Sequence, residues 1–424
     1  MRAPVLLASS VLAILALAAA CGGKTDSPAG PTTDPAADAG TSRPPIPVYD
    51  GGGGDSGLDI DPVYPAPHPP MPLVKYQGGD ILRAAKVVTV VFPGDSMKAR
   101  IEAFTDMIVK SPWWTEVGSE YCTDAAGTDC IGPGSVLAHV EHPTAPKSLY
   151  TPTEVEDLLR QMVASGEVPA PQKDVVYSLF FPRGIQIGES GFMSCKDFGG
   201  YHSATEVTAP GAPSPTRVAY AVMVRCTTSE AETTVATAHE LIEAATDPTT
   251  ESANPVGGFL MEDEAWASFF YPEVGDLCVR EALLDVGGFV VQRSWSNKAA
   301  KAGKNLCVPV EPGEKYFNAA PAVQEVSLAV GESITIDVKP FAESKQPSWD
   351  LEAQDLFDVM GGLSALDLSL DRTEVNNGTR TKLTIRLVRK PKAGENPFGS
   401  GIPYALVSRR GQEVHMWAGL VRPK

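Results

Sequence analysis

Apolar and polar positions repeat along this chain with two different periods. Lys86–Phe92 (KVVTVVF) is a β-branched run closed by Pro93-Gly94, the pattern of a buried strand. Met97, Ile101, Phe104 and Ile108 then recur at helical spacing and predict a helix that Pro112-Trp113-Trp114 ends. Thr151-Pro152-Thr153-Glu154 reads as a capped helix start. Val155, Leu158, Leu159 and Met162 supply its stripe and Gly166 its stop. Val175–Phe181 and Val218–Val224 predict two further strands, and Gly288–Val291 another. Ser229 and Glu232 form a second capping box, opening a helix that runs to about Ala245 and is stopped by Thr246-Asp247-Pro248. Strands interleaved with helices predict an α+β or α/β domain over residues 75–311. From residue 320 the period becomes two, in Val326–Val330, Ile334–Val338 and Lys382–Leu387, with Ala405–Val407 and Val414–Val421 completing the set. Short, evenly spaced strands predict an all-β, immunoglobulin-like sandwich over 320–424.

The region before residue 75 has neither period. Arg2 precedes an apolar run, Val5–Ala20, that ends in Ala18-Ala19-Ala20-Cys21. A cationic start, an apolar core and small residues at the cut describe a signal peptide over 1–20, too short to be a spanning helix. The pattern resembles a lipobox and makes Cys21 a lipid-attachment cysteine. Cleavage without lipidation, leaving a secreted soluble chain, is the rival reading. Residues 21–74 are rich in Pro, Gly, Asp, Ser and Thr and predict a disordered tether.

The chain has 7 cysteines, an odd number for an exported protein; lipid on Cys21 leaves six for bridges in an oxidising compartment. Neighbours in sequence suggest Cys122–Cys130, Cys195–Cys226 and Cys278–Cys307, although other connectivities are open. The net charge of −17 argues against nucleic acid as a partner.

The predicted helix after Ser229 carries His239-Glu240-Leu241-Ile242-Glu243. His239 and Glu243, four apart, project from one face, the spacing that offers two ligands to one metal in HExxH enzymes. Glu240 stands where those enzymes keep a general base, which takes a proton from water whose pKa the metal has lowered to roughly 7. Glutamate replaces the second histidine here, and carboxylate oxygen is an acceptable zinc ligand. A third ligand is sought downstream, among Glu262, Glu264, Glu273 and Asp276. Glu273 and Asp276 are favoured because Cys278 would anchor their segment. Asp247 is read mainly as a helix end. His202 is read as a loop histidine that could stabilise an oxyanion or complete the metal site. His139 and His142 have no evident partner, and Trp113-Trp114 reads as core more readily than as a carbohydrate platform.

These pieces, taken in order, resemble the EXORDIUM or phosphate-induced proteins of plants and their bacterial relatives. The resemblance rests on Lys75-Tyr76-Gln77-Gly78-Gly79, Ser111-Pro112-Trp113-Trp114 and Val176-Tyr177. It continues at Ser190-Gly191-Phe192 before Cys195, Gly200-Tyr201-His202, His239 through Pro248, and Glu273-Val274-Gly275-Asp276-Leu277-Cys278, with Trp295 and Cys307 near its end. It implies an extracellular protein, favours His239, Glu240, Glu243, Glu273 and Asp276 as a site, and points to His202. Plant members often carry asparagine at the position of Asp247. They also have a cysteine-containing insertion before the helix and lack both the C-terminal β domain and the lipid anchor.

The expectation is an exported surface lipoprotein with a zincin-like, zinc-dependent hydrolase domain. It would act on a peptide or cell-surface polymer and meet the membrane only through its lipid. Its rival is a non-catalytic binding or adhesion protein in which the cluster is a closed metal site or polar network.

Overall fold

The computed structural model describes residues 61–189, 191–249, 257–360, 362–392, 395–396 and 399–424. Residues 1–60, with the expected signal peptide and Cys21, and Ser190 lie outside the described residues. The chain is mixed α/β, with more strand than helix among those described.

The first half is built on a five-stranded sheet. Its elements in chain order are β1 (Lys86–Val91), α1 (Lys98–Ile108), α2 (Pro112–Gly118), β2 (Ser135–Glu141), α3 (Pro152–Ser165), β3 (Val175–Phe181), β4 (Gly200–Val207), β5 (Thr216–Val224), α4 (Glu230–Thr246) and α5 (Glu264–Phe270). The strand order is β2-β1-β3-β5-β4. All neighbours are parallel except β4, an edge strand antiparallel to β5. Alternation along β1 sends Val87 and Val91 toward α1, α2 and α4, and Val88 and Val90 toward α3. Helices on both faces explain why β3 is buried at every position.

The helix boundaries follow their caps. Pro112 does not simply end α1; it opens α2, where Ser111 Oγ accepts from the Trp114 amide at 3.1 Å and proline needs no N–H. Thr151 and Glu154 form the complete capping box of α3, and Gly166 closes that helix at φ 74°. At α4 only half of the expected box forms. Ser229 accepts from the Glu232 amide at 3.3 Å, while the Glu232 carboxylate takes the Thr227 hydroxyl at 2.7 Å.

The second half comprises β6 (Phe317–Pro321), β7 (Glu325–Leu328), β8 (Ser333–Ala342), β9 (Trp349–Asp355), β10 (Leu366–Leu370), β11 (Glu374–Val375), β12 (Thr381–Leu387), β13 (Ile402–Arg410) and β14 (Glu413–Pro423). Two sheets, ordered β6-β8-β12-β10 and β7-β14-β13-β9-β11, enclose a shared core that includes Phe317, Trp349, Leu383 and Tyr404. Every pairing is antiparallel except β7 with β14.

The boundary near residue 320 is not a break in packing. Trp417, Ala418 and Leu420 of β14 belong to the same apolar cluster as Trp266 and Phe269 of α5, and the Trp266 and Trp417 rings lie 5.8 Å apart. Residues 61–74, expected to belong to the disordered tether, are packed against the folded chain. Ala66, Met71 and Val74 are buried, and His68 stacks on Phe341 at 3.7 Å. Asn377 donates to the carbonyls of Asp61 and Val63 and accepts from the Ala66 amide. Few apolar residues suffice there because a preformed surface receives them.

Cys122–Cys130, Cys195–Cys226 and Cys278–Cys307 are disulfide-bonded, which fits an oxidising compartment. Among the described residues no helix is long and apolar enough to cross a membrane.

Candidate metal centre

Helix α4 is buried from Thr237 to Thr246. Ala238, Leu241, Ile242 and Ala245 enter the apolar core, and His239, Glu240 and Glu243 are equally buried. A helix with no wet face must find partners for its polar side chains inside the protein.

Those partners come from two places. Strand β4 carries His202, a residue expected in a loop; it is paired opposite Ala221 of β5. The β-branched Thr205 and Val207 were the available signal for this strand. The segment after α5 brings Glu273 and Asp276, with Asp276 in a single 3-10 turn, Asp276–Cys278, fixed to Cys307 by its disulfide. Cys195–Cys226 spans the β4–β5 hairpin just before α4.

The geometry is dense. His239 Nε2 lies 3.0 Å from Glu243 Oε2 and 3.5 Å from Asp276 Oδ1. His202 Nδ1 lies 3.5 Å from Glu240 Oε2 and 3.6 Å from Glu243 Oε2, while its Nε2 faces Asp247 Oδ1 at 3.2 Å. Glu243 Oε1 accepts from the amides of Gly275 and Asp276, both at 3.0 Å. Asp247, read as a helix end, is the C-cap residue of α4 and also points its carboxylate into the cluster. Glu262 and Glu264, the other downstream candidates, are elsewhere: Glu262 pairs with Lys75 at the surface and Glu264 with Arg422. His139 pairs with Asp106 and His142 with Glu167, both away from the cluster.

Two glycines let the segments approach. A Cβ at Gly275 would stand 2.7 Å from Glu243 Oε1 and 2.8 Å from His239 Nδ1; one at Gly200 would stand 2.9 Å from Glu240 Oε1.

Gln292 is the residue the sequence did not disclose. Its Nε2 donates to the carbonyls of Gly275 and Arg293, so its Oε1 is the atom turned to His239 Nδ1 at 3.2 Å. Its backbone carbonyl accepts the Trp113 indole N–H at 2.9 Å, which makes Trp113 core and support together. This network assigns the proton of a neutral His239 to Nδ1 and leaves Nε2 a lone pair aimed at two carboxylates.

The electrostatics follow from crowding acids in a dry space. Burial alone would lower His239, but Glu243, Glu240 and Asp276 outweigh it and push it up to about 10. Burial, reinforced by Glu243, holds Glu273 and Asp276 well above the usual carboxylate range. Burial lifts Asp247 to about 6 against the pull of His202, and raises Glu240. Burial works against Glu243 too, yet His202, His239 and the Asp276 amide hold it low.

No family model matches this chain, and no curated protein does. Among solved structures, titin M4 in a trigonal form is 8% identical, with 26% of this chain and 94% of that one covered at a TM-score of 0.16. At that score the likeness bears on neither fold nor activity.

The donor set fits a divalent cation. His239 Nε2, Glu243 Oε2, Asp276 Oδ2 and both Glu240 oxygens are buried without a hydrogen-bond partner. One ligand atom each from His239, Glu243 and Asp276 lies within 4.8 Å of the others. An imidazole nitrogen this close to carboxylate oxygens must share either a proton, which the raised pKa of His239 favours in the metal-free protein, or a cation, which would take the same lone pairs. Protons and a metal ion compete for these same atoms.

Proposed function

We propose that this chain is an exported metalloprotein whose centre binds zinc through His239, Glu243 and Asp276, with Glu240 as the general base of a zincin-like hydrolase acting on peptides or a cell-surface polymer. The carrying observation is the His239 arrangement: Gln292 holds Nδ1, and Nε2 is left facing Glu243 and Asp276. Of the two downstream candidates, Asp276 is the one that closes this group. Bound zinc would supply Lewis acidity and bring the pKa of water to about 7. Glu240, with both oxygens unpartnered beside the ligands, is positioned to accept a proton. His202 would orient or polarise the reacting group.

A second reading has its own support. Every member of the cluster is at most 4% exposed, as expected of a closed, non-catalytic metal site in a binding or adhesion protein. Glu240→Gln separates the two. The hydrolase reading expects zinc content unchanged and cleavage of casein or a peptide library lost, whereas wild-type protein that binds zinc but cleaves neither sinks it. Protein free of zinc after export sinks both.

The order of motifs from Lys75 to Cys307 supports kinship with the EXORDIUM proteins, and the three disulfides support an extracellular site of action. Anchoring through lipid on Cys21 would keep the chain at the envelope; a Cys21→Ala chain that fractionates as wild type does would end that part of the proposal. The second half, with its two-sheet core, is read as an immunoglobulin-like module for packing or attachment.

A further inference from the structure

The cluster contains more ligands than one ion uses. His239, Glu243 and Asp276 form one group and His202, Asp247 and Glu273 another, each with one ligand atom per residue within 4.8 Å of the others; a third group, His202, Glu240 and Glu243, overlaps both and joins them. Asp247 is 1% and Glu273 3% exposed; their carboxyls lie in hydrogen-bonding reach of each other, and among the described residues Asp247 Oδ2 and Glu273 Oε2 meet no amide, hydroxyl or cationic donor. The His202 ring divides the space: Nδ1 faces Glu240 and Glu243, and Nε2 turns the other way to Asp247.

Charge points in the same direction. Glu240, Glu243, Asp247, Glu273 and Asp276 are all buried, and among the described residues their ion pairs run only to His202 and His239, never to lysine or arginine. With all five carboxylates ionised beside neutral histidines, one divalent ion leaves about three negative charges and a second about one; without ions, protons on Glu273, Asp276 and the two histidines do the offsetting, and it is these protons that two ions would displace.

We propose that His202, Asp247 and Glu273 hold a second divalent cation, making the centre dinuclear with Glu240 and Glu243 between the two positions. This rests on the reading that His239, Glu243 and Asp276 hold the first. Imidazole with carboxylates suits zinc or manganese at the second position. Paired ions serve hydrolytic centres by holding the attacking and leaving oxygens together, a role for which His202 alone would be a poor substitute.

The test uses the full exported, oxidised chain. After saturation with zinc chloride and dialysis into metal-free buffer, mass spectrometry of the metal should read about two zinc per chain. Asp247→Asn and Glu273→Gln should each read about one, and so should Asp276→Asn through loss of the other ion. Titration of the unmodified chain with cobalt(II), followed by visible absorption, should saturate at two equivalents, so the answer does not depend on any variant folding. Saturation at one equivalent, unchanged in Asp247→Asn and Glu273→Gln but lost in Asp276→Asn, overturns the second position and leaves the first standing. No cobalt or zinc bound overturns both.

Discussion

Two buried polar groups in this molecule solve the same problem in opposite ways. Arg293 and Glu314 meet in a two-pronged pair at 2.7 Å on each arm, with Asn305 donating to the same carboxylate and the Ala282 carbonyl taking the Arg293 Nε–H. Its charges cancel, and three of the guanidinium N–H groups have named acceptors. The cluster around α4 has five carboxylates, two histidines and a set of unpartnered oxygens. Both are shielded from water, so desolvation weighs on both. The difference teaches that burial of charge is not itself a sign of function, whereas burial of an unbalanced set of ligand atoms points to a cation.

The comparison can be broken experimentally. Glu314→Ala strands the Arg293 guanidinium and should cost about 3–5 kcal/mol of stability by urea unfolding. An effect near zero would mean that the pair is wetter than it looks. Gly275→Ala comes next, because its methyl would overlap both Glu243 and His239. It should cost about 1–3 kcal/mol and lower zinc affinity as well, measured by unfolding and by competition with a chromogenic chelator. The smallest change is expected for Glu273→Gln in chelator-treated protein. Burial and the neighbouring acids already favour the neutral form of Glu273, so a neutral amide in its place should cost less than about 1 kcal/mol, or stabilise. A loss as large as that of Glu314→Ala would make the cluster a finished network like the Arg293 pair.

Much of the fold was legible because burial on both faces leaves a strong mark. β1, β3 and β5 are apolar runs, and α3 carries its cap, stripe and stop within sixteen residues, Thr151 to Gly166. The strands that escaped were weaker. β2 alternates between exposed and half-buried positions, and β4 begins Gly-Tyr-His-Ser, which reads as a turn. His202 was therefore identified as a candidate but assigned to the wrong local structure. Residues 61–74 were misjudged for a related reason. Their composition cannot build a core, but Asn377 and Phe341 offer one already made.

The site divides along the same line. HExxE is a local pattern, because four residues on a helix bring two side chains to one face whatever surrounds them. Sequence was therefore enough to nominate His239, Glu240 and Glu243, and the cysteine at 278 was enough to draw attention to Glu273 and Asp276. Only the tertiary structure could assign Asp276 to the His239 group and Glu273 to the His202 group, turn Asp247 inward, and supply Gln292. Those assignments depend on the closeness of segments tens of residues apart, allowed by Gly200 and Gly275, and no periodicity along the chain encodes such a distance.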